Sequence, residues 1–381
     1  MRIPLATPDI HEADIEAVSR VLRTSRLSLG AKLGEFESAI AEYVGVPQSI
    51  AVSSGTSALH LCMRAFGIGE DDEVIVPSFA FIAVANAVRY ERATPVFVDI
   101  EPRTLNLDPK RIETAITHRT RAIIVVHTFG CPADLRPILE IARRHRLYVV
   151  EDACEAIGAE YEGKKVGTLG DIGVFGFYPN KQITTGEGGA VVTENLDLAK
   201  RIRSLRNQGR SESGKWFSHS ELGYNYRISE MNCALGCEQL KRIELILKRR
   251  DDIACEYHAQ FVGNPDIDLP PVSTAEKRIS WFAYVVRLSP RFSEIDRDHI
   301  IAEMSASGIE LGRYFAPIHL QPPYKMLSKP ASGLDITESI SARVLALPFF
   351  NRIKTTQIEE VSERIVELSG KVARSSASPC G

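Results

Sequence analysis

Several features that would mark whole classes of protein are missing from this chain. No apolar run in its 381 residues approaches the roughly 20 positions a membrane helix needs, so no membrane partner is expected. Basic residues do not predominate: 46 Lys and Arg stand against 49 Asp and Glu, a formal net charge of −3. Dedicated nucleic-acid binders are usually basic, and that class is set aside, although a local basic pocket for a phosphorylated ligand is not. The cysteines number seven, and Cys62, Cys131, Cys154, Cys233, Cys237, Cys255 and Cys380 follow no framework spacing. Cys233 and Cys237 lie one turn apart on a predicted helix but lack the partner ligands of a zinc site, so no metal is expected. The opening MRIPLATPDI shows no charged-then-apolar segment. With the unpaired cysteines, this points to a reducing, cytoplasmic location. HExxH, GxSxG and Walker phosphate-loop patterns are absent.

What is present is an ordinary globular composition, 44% hydrophobic and 25% charged, in a chain long enough to bury a substantial core. Short β-branched runs recur at Ile50–Ser53, Glu73–Val76, Pro95–Val98, Arg121–Val126, Leu147–Val150, Asp171–Phe177 and Gly189–Thr193. They are near-continuous rather than alternating, as in strands covered on both faces. Helical patterns separate several of them, at Ser57–Phe66, Ile82–Tyr90, Pro109–Ala115 and Asp134–His145. The fold class is therefore α/β, with a mostly parallel central sheet of about seven strands flanked by helices. An amphipathic helix is expected over Asp9–Arg23 and one long helix over Ile228–Phe261. The Gly/Asn/Pro-rich stretch Gly263–Pro271 marks a change of character. Beyond it, Trp281–Leu288 reads as strand, Asp296–Met304 and Thr356–Leu368 as helices, Lys325–Leu334 as loop and the tail from Ser375 as frayed. The expected division is a large domain over 1–250 and a smaller α+β domain over 251–381.

Ligands of open parallel sheets bind beyond the carboxyl ends of the strands. After the first strand, Ser53-Ser54-Gly55-Thr56-Ser57 opens a helix, which suits either an anion or plain N-capping. After Leu147–Val150 come Glu151 and Asp152, carboxylates that either cap a helix or face a cationic ligand nitrogen. The segment DIGVFGFYPNKQITTGEGG sets Lys181 between aromatic residues and a glycine-rich turn, a setting that can desolvate and activate an amine. An amine, a carboxylate and an anion site together meet the requirements of pyridoxal phosphate.

The ordered motifs SSGTSALHL, VPSFAFIAVANAV, VVHTFGCPADL, VEDACEAIGAEY, FGFYPNKQITTGEGGAVVT, GYNYRISEMNCALG and YFAPIHLQPPY extend the pattern nearly end to end. With them the chain resembles the DegT/DnrJ/EryC1/StrS sugar aminotransferases, pyridoxal-phosphate enzymes of the aspartate-aminotransferase fold. The resemblance implies that Lys181 forms the Schiff base to the cofactor and shuttles the substrate proton, while Asp152 holds the pyridinium proton. It implies phosphate contacts from Gly55, Thr56 and Ser57, ring stacking by Phe81, and a contact from Asn225 to the cofactor of a neighbouring subunit, hence a homodimer with shared sites. Arg227 falls where the donor carboxylate is held, and Tyr314 and His319 fall in the stretch that approaches the sugar nucleotide. Two positions depart from the family pattern: Gly176 replaces a common Ser of the phosphate cup, and Glu155 replaces a common Gln near the cofactor's 3-oxygen.

The implied reaction transfers an amino group from L-glutamate to a nucleotide-linked keto-sugar, with a lean towards a 4-keto-6-deoxyhexose. The product would be an amino sugar for a surface glycan or a glycosylated natural product. A cyclitol acceptor and a non-catalytic cofactor-binding regulator are the alternatives. A related sugar dehydratase would carry His in place of Lys181. A nicotinamide enzyme would need a glycine-rich turn directly after the first strand, which SSGTSALH does not provide. Arg206, Arg210 and Arg313 are expected at the surface, Lys164-Lys165 in an exposed turn, and Glu187 in solvent.

Overall fold

A computed structural model describes residues 2–211, 218–326 and 333–377. Its thirteen strands are β1 (Gln48–Val52), β2 (Glu73–Pro77), β3 (Thr94–Val98), β4 (Thr120–Val126), β5 (Tyr148–Asp152), β6 (Glu160–Tyr161), β7 (Lys164–Lys165), β8 (Ile172–Gly176), β9 (Gly189–Thr193), β10 (Ile267–Asp268), β11 (Lys277–Arg278), β12 (Tyr284–Leu288) and β13 (Val344–Leu347). Seven of them form the main sheet in the order β1-β9-β8-β5-β4-β2-β3. The neighbours β5–β8, β4–β5, β2–β4 and β2–β3 run parallel, and only β9 opposes its neighbours β1 and β8.

Both faces of this sheet are covered, and the alternation along β4 shows how. Ile123 and Val125 pack into a core shared with the helices Ala31–Val44 and Leu135–His145. Ala122, Ile124 and Val126 pack on the other side, with the helices Gly55–Ala65, Ala83–Tyr90 and Leu196–Arg206. Successive side chains of a strand point to opposite faces, so a strand buried on both must be apolar throughout.

The C-terminal part has its own core. The antiparallel sheet β10-β12-β13 packs with the helices Glu294–Ala306 and Thr355–Ala377, and Ile3 of the N-terminus joins them. A ribbon of β11, β6 and β7 links the two parts. The helix Ile243–Phe261 spans both cores: Ile243, Ile246 and Leu247 belong to the first, and Ile253, Tyr257 and Phe261 to the C-terminal one.

The α/β class and all seven main strands match the sequence reading. The expected continuous helix 228–261 does not: it divides into Glu230–Lys241 and Ile243–Phe261 at Arg242, whose guanidinium turns back to Asp9 and Asp14. The strand expected over 147–150 runs on through Glu151 and Asp152. Lys164 and Lys165 form a short strand rather than a turn, with Lys165 Nζ 4.2 Å from the centre of the Tyr43 ring. Arg206 is buried, not at the surface, because its guanidinium meets Glu37 and the carbonyl of Ala51 on β1. Of the expected loop 325–334, residues 327–332 lie outside the described residues, and a helix starts at Asp335. The backbone of 375–377 continues the last helix, and the rest of the tail, with Cys380, is outside the described residues.

Candidate active site

A cavity of about 370 Å³ opens at the carboxyl ends of β1, β4, β5 and β8. Its floor comes from the main sheet, and Phe282, Tyr314 and Phe315 of the C-terminal part close its other side. Of the residues singled out from sequence, Lys181, Asp152, Gly55, Thr56, Phe81, Glu155 and Tyr314 all line it. So does Gly176, the first of the two departures.

The Gly55–Ala65 helix starts at this cavity because Ser54 caps it: Ser54 Oγ accepts the Ser57 N–H at 3.1 Å, and Ser57 Oγ accepts the Ser54 N–H at 2.9 Å. The Ser57 hydroxyl also donates to the Ser54 carbonyl, so Ser57 sits in the cap while Ser54 lines the cavity. The first N–H groups of a helix have no partner within it. Among the described residues, those of Gly55 and Thr56 have none elsewhere in the chain, and both residues face the cavity. These N–H groups form an anion cradle aided by the helix dipole. A side chain is excluded at Gly55, whose Cβ would fall 2.8 Å from Cys154 Sγ. At Gly176 it would fall 3.1 Å from the same sulfur, so Cys154 occupies space next to the missing Ser.

Glu151 and Asp152, adjacent on β5, face opposite ways. Asp152 lines the cavity, and its Oδ1 accepts the Cys154 N–H at 3.1 Å. Glu151 is fully buried behind the strand. It accepts the N–H groups of Gly167, Leu169 and Gly170 at 2.6–2.7 Å and bonds His127 Nε2 at 3.0 Å. The Ala133 N–H meets His127 Nδ1 at 3.1 Å, so Nε2 carries the hydrogen and donates to Glu151. Burial alone would raise the Glu151 pKa; these donors outweigh it and hold the carboxyl below its ordinary value.

Lys181 lies in the loop after β8, with its side chain 14% exposed. Its Nζ is 3.5 Å from Glu155 Oε1 and 4.0 Å from the centre of the Phe282 ring. Glu155 Oε2 accepts the Phe129 N–H at 2.9 Å. Burial pushes the Glu155 carboxyl up, against the lowering effect of Lys181 and the Phe129 N–H. Phe81, 61% exposed, faces the cavity, whereas Phe79 is buried in the core.

Besides Ser57, three of the expected residues stand outside this cavity. Asn225 is exposed on the segment after Leu222. Arg227 is half-buried and donates to Asn207 Oδ1 at 3.0 Å. His319 is buried and already engaged, with Nδ1 2.6 Å from Ser78 Oγ and Nε2 3.0 Å from Glu338 Oε1. It fastens the chain after Phe315 to the end of β2. Conversely, Ser54, Cys154, Tyr178, Asn180, Glu187, Phe282 and Phe315 line the cavity without having been singled out for it. Glu187 is exposed at its mouth, as expected of a residue in solvent. Phe282 carried no local motif that could have marked it, whereas Phe315 lies within YFAPIHLQPPY, next to Tyr314.

Among the described residues, no group of three or more His, Cys, Asp or Glu side chains is arranged to hold a metal, and no helix is long and apolar enough to cross a membrane. The six described cysteines are free.

The model of the DegT/DnrJ/EryC1/StrS aminotransferase family matches residues 8–366. A GDP-perosamine synthase of Caulobacter vibrioides is 43% identical over 364 residues, 94% of this chain and 96% of that protein. A dTDP-3-amino-3,4,6-trideoxy-alpha-D-glucose transaminase of Streptomyces venezuelae is 38% identical over 358 residues, 93% of this chain and 92% of that one. Among solved structures, the PMP form of Spr1654, a sugar aminotransferase homologue from Streptococcus pneumoniae, superposes with a TM-score of 0.95 at 27% identity, over 99% of this chain and 100% of that one.

Proposed function

The chain belongs to the DegT/DnrJ/EryC1/StrS aminotransferase family, whose enzymes depend on pyridoxal phosphate, and on that premise we propose that it moves an amino group from L-glutamate to a nucleotide-linked keto-sugar. Its homologues serve amino-sugar synthesis in general. The finer proposal is that the acceptor is a 4-keto-6-deoxyhexose. The observation that carries the reading is the convergence on one cavity of a poorly exposed amine, Lys181, a carboxylate, Asp152, and the unpartnered N–H groups of Gly55 and Thr56. These are the three groups pyridoxal phosphate requires, and the site fits it.

When bound, the cofactor supplies an aldehyde for an amine and a ring that accepts an electron pair. In the proposed mechanism Lys181 Nζ would hold the cofactor and, once released, would take and later give back the proton of the glutamate α-carbon. Asp152 keeps a proton on the ring nitrogen. Gly55, Thr56 and the Ser57 cap hold the phosphate, and Phe81 covers the ring. Glutamate would leave as 2-oxoglutarate, with a water supplying its keto oxygen and its amino group retained by the cofactor, before the keto-sugar enters, so the kinetics would be ping-pong. The same residues then run in reverse and leave the sugar with an amino group in place of its keto oxygen.

The substrate contacts proposed are Arg227 to the donor carboxylate and Tyr314 to the sugar nucleotide. His319, tied to Ser78 and Glu338, would act by holding the segment that follows Tyr314. Asn225 is exposed and away from its own cavity, which supports a role at the site of a second copy, in a cytoplasmic homodimer. The proposed 1–250 and 251–381 domains would meet across the cavity, since its lining draws on both. The test is incubation with L-glutamate and a panel of nucleotide-linked keto-sugars. Formation of 2-oxoglutarate and amino sugar in equal amounts is expected. Amination of a keto-cyclitol alone would replace the acceptor assignment with the cyclitol reading. No amination of any acceptor, with the cofactor retained, would favour a regulator.

A further inference from the structure

Glu155 is held in place more firmly than a gap-filling side chain requires. Its carbonyl accepts Gln182 Nε2 at 2.7 Å, and its Oε2 accepts the Phe129 N–H at 2.9 Å. Phe129 has φ 54°, a left-handed conformation that a bulky residue adopts only at a cost, in the turn where its N–H meets Glu155. The neighbouring Gly130, φ 89°, admits no side chain, because a Cβ would fall 1.7 Å from the Ser280 carbonyl and 3.1 Å from that of Glu155. With Oε2 fixed by the backbone, Oε1 is left at 3.5 Å from Lys181 Nζ. Among the described residues no other carboxylate lies within 4.0 Å of that nitrogen. The ring of Phe282 borders it as well and also favours a cation.

We propose that Glu155 is the counter-ion of the Lys181 nitrogen and sets how tightly that nitrogen holds a proton. The proposal rests on Lys181 being the amine that takes the cofactor. The other titratable groups near Glu155 are Asp152 and the Cys154 thiol, on and after β5, and the Tyr314 phenol across the cavity. Asp152 and Glu155 repel, so burial and Asp152 make Glu155 a reluctant anion that Lys181 stabilises in return. Gln at this position would keep an acceptor for the Phe129 N–H, and would set an uncharged NH2 in place of the carboxylate oxygen that faces Lys181 Nζ. The departure from the family pattern would therefore change the electrostatics of Lys181 and leave the shape of the site unaltered.

The test is a pH titration of the visible absorption of the full chain loaded with pyridoxal 5′-phosphate, for the wild type, Glu155→Gln, Glu155→Asp and Lys181→Ala. Unit charges at this range shift a titration by between about 0.7 and 3 pH units, from watery to protein-like surroundings. Glu155→Gln is expected to lower the midpoint by that much, and Glu155→Asp to restore part of the shift. A second readout needs no cofactor: acetylation of Lys181 by acetic anhydride, followed by mass spectrometry, should be at least about five-fold faster at pH 8 in Glu155→Gln, the rate equivalent of 0.7 units. An unmoved or raised midpoint, or unchanged acetylation should Glu155→Gln fail to load, overturns the proposal. A visible band that persists in Lys181→Ala would instead overturn the role of Lys181.

Discussion

Glu151→Gln is a sharp test of how the end of β5 is held. Each carboxylate oxygen of Glu151 faces two donors: Oε1 accepts from Leu169 and Gly170, and Oε2 from Gly167 and His127 Nε2. A glutamine has one oxygen and one NH2 group. Whichever way the amide turns, the NH2 is set against two donors. If it faces Leu169 and Gly170, two buried N–H groups lose their acceptor; if it faces the other side, Gly167 and His127 do. An unsatisfied buried donor costs about 1–3 kcal/mol, so the variant should lose about 2–6 kcal/mol despite its near-identical shape. Urea unfolding, read by far-ultraviolet circular dichroism, measures the loss. The pH dependence supplies an independent check. The folded-state pKa of Glu151 is lowered, so its contribution is complete above the ordinary carboxylate value of 4.5 and fades as pH falls through the lower folded value. The gap between wild type and variant should therefore narrow below about pH 4.5 and be widest near neutrality. A loss under about 0.5 kcal/mol at pH 7, within the range of ordinary surface substitutions, would refute the reading of Glu151 as a charged anchor.

Three further outcomes follow from the site. Asp152→Asn should fold normally and bind cofactor but lose most of its turnover, because a neutral pyridine ring is a poor electron acceptor; near-normal rates would assign that role to another group. Asn225→Ala mixed with Lys181→Ala should regain part of the activity in hybrid dimers if sites are shared, and no regain on subunit mixing would count against sharing. His319→Ala should raise KM for the acceptor more than it lowers kcat, since it frees the chain after Phe315 from Ser78 without removing a cavity residue; a fall in kcat alone would assign His319 a direct part in the chemistry.

The main sheet was legible in the sequence because strands covered on both faces must be apolar throughout. The helix Ala31–Val44 was missed although its stripe of Leu33, Phe36, Ile40 and Val44 was there to be read. β13, four residues long, was not read as a strand. The break at Arg242 was invisible because it depends on Asp9 and Asp14, more than 200 residues away. The same distinction divides the site. Residues placed by strand ends, such as Lys181, Asp152, Gly55 and Thr56, could be found from local pattern alone. Phe282 and Phe315 reach the cavity only through the packing of the C-terminal part against the sheet. The engagement of His319 with Ser78 likewise joins residues 241 positions apart, beyond any local pattern.

The central claim is that Lys181 takes pyridoxal phosphate and passes an amino group from glutamate, and the visible absorption spectrum of the purified protein, before and after L-glutamate, tests it most directly. A yellow band that bleaches on addition of glutamate, and that Lys181→Ala lacks, is the predicted result. A protein that forms no band with added pyridoxal phosphate, or a band that Lys181→Ala retains, would contradict it.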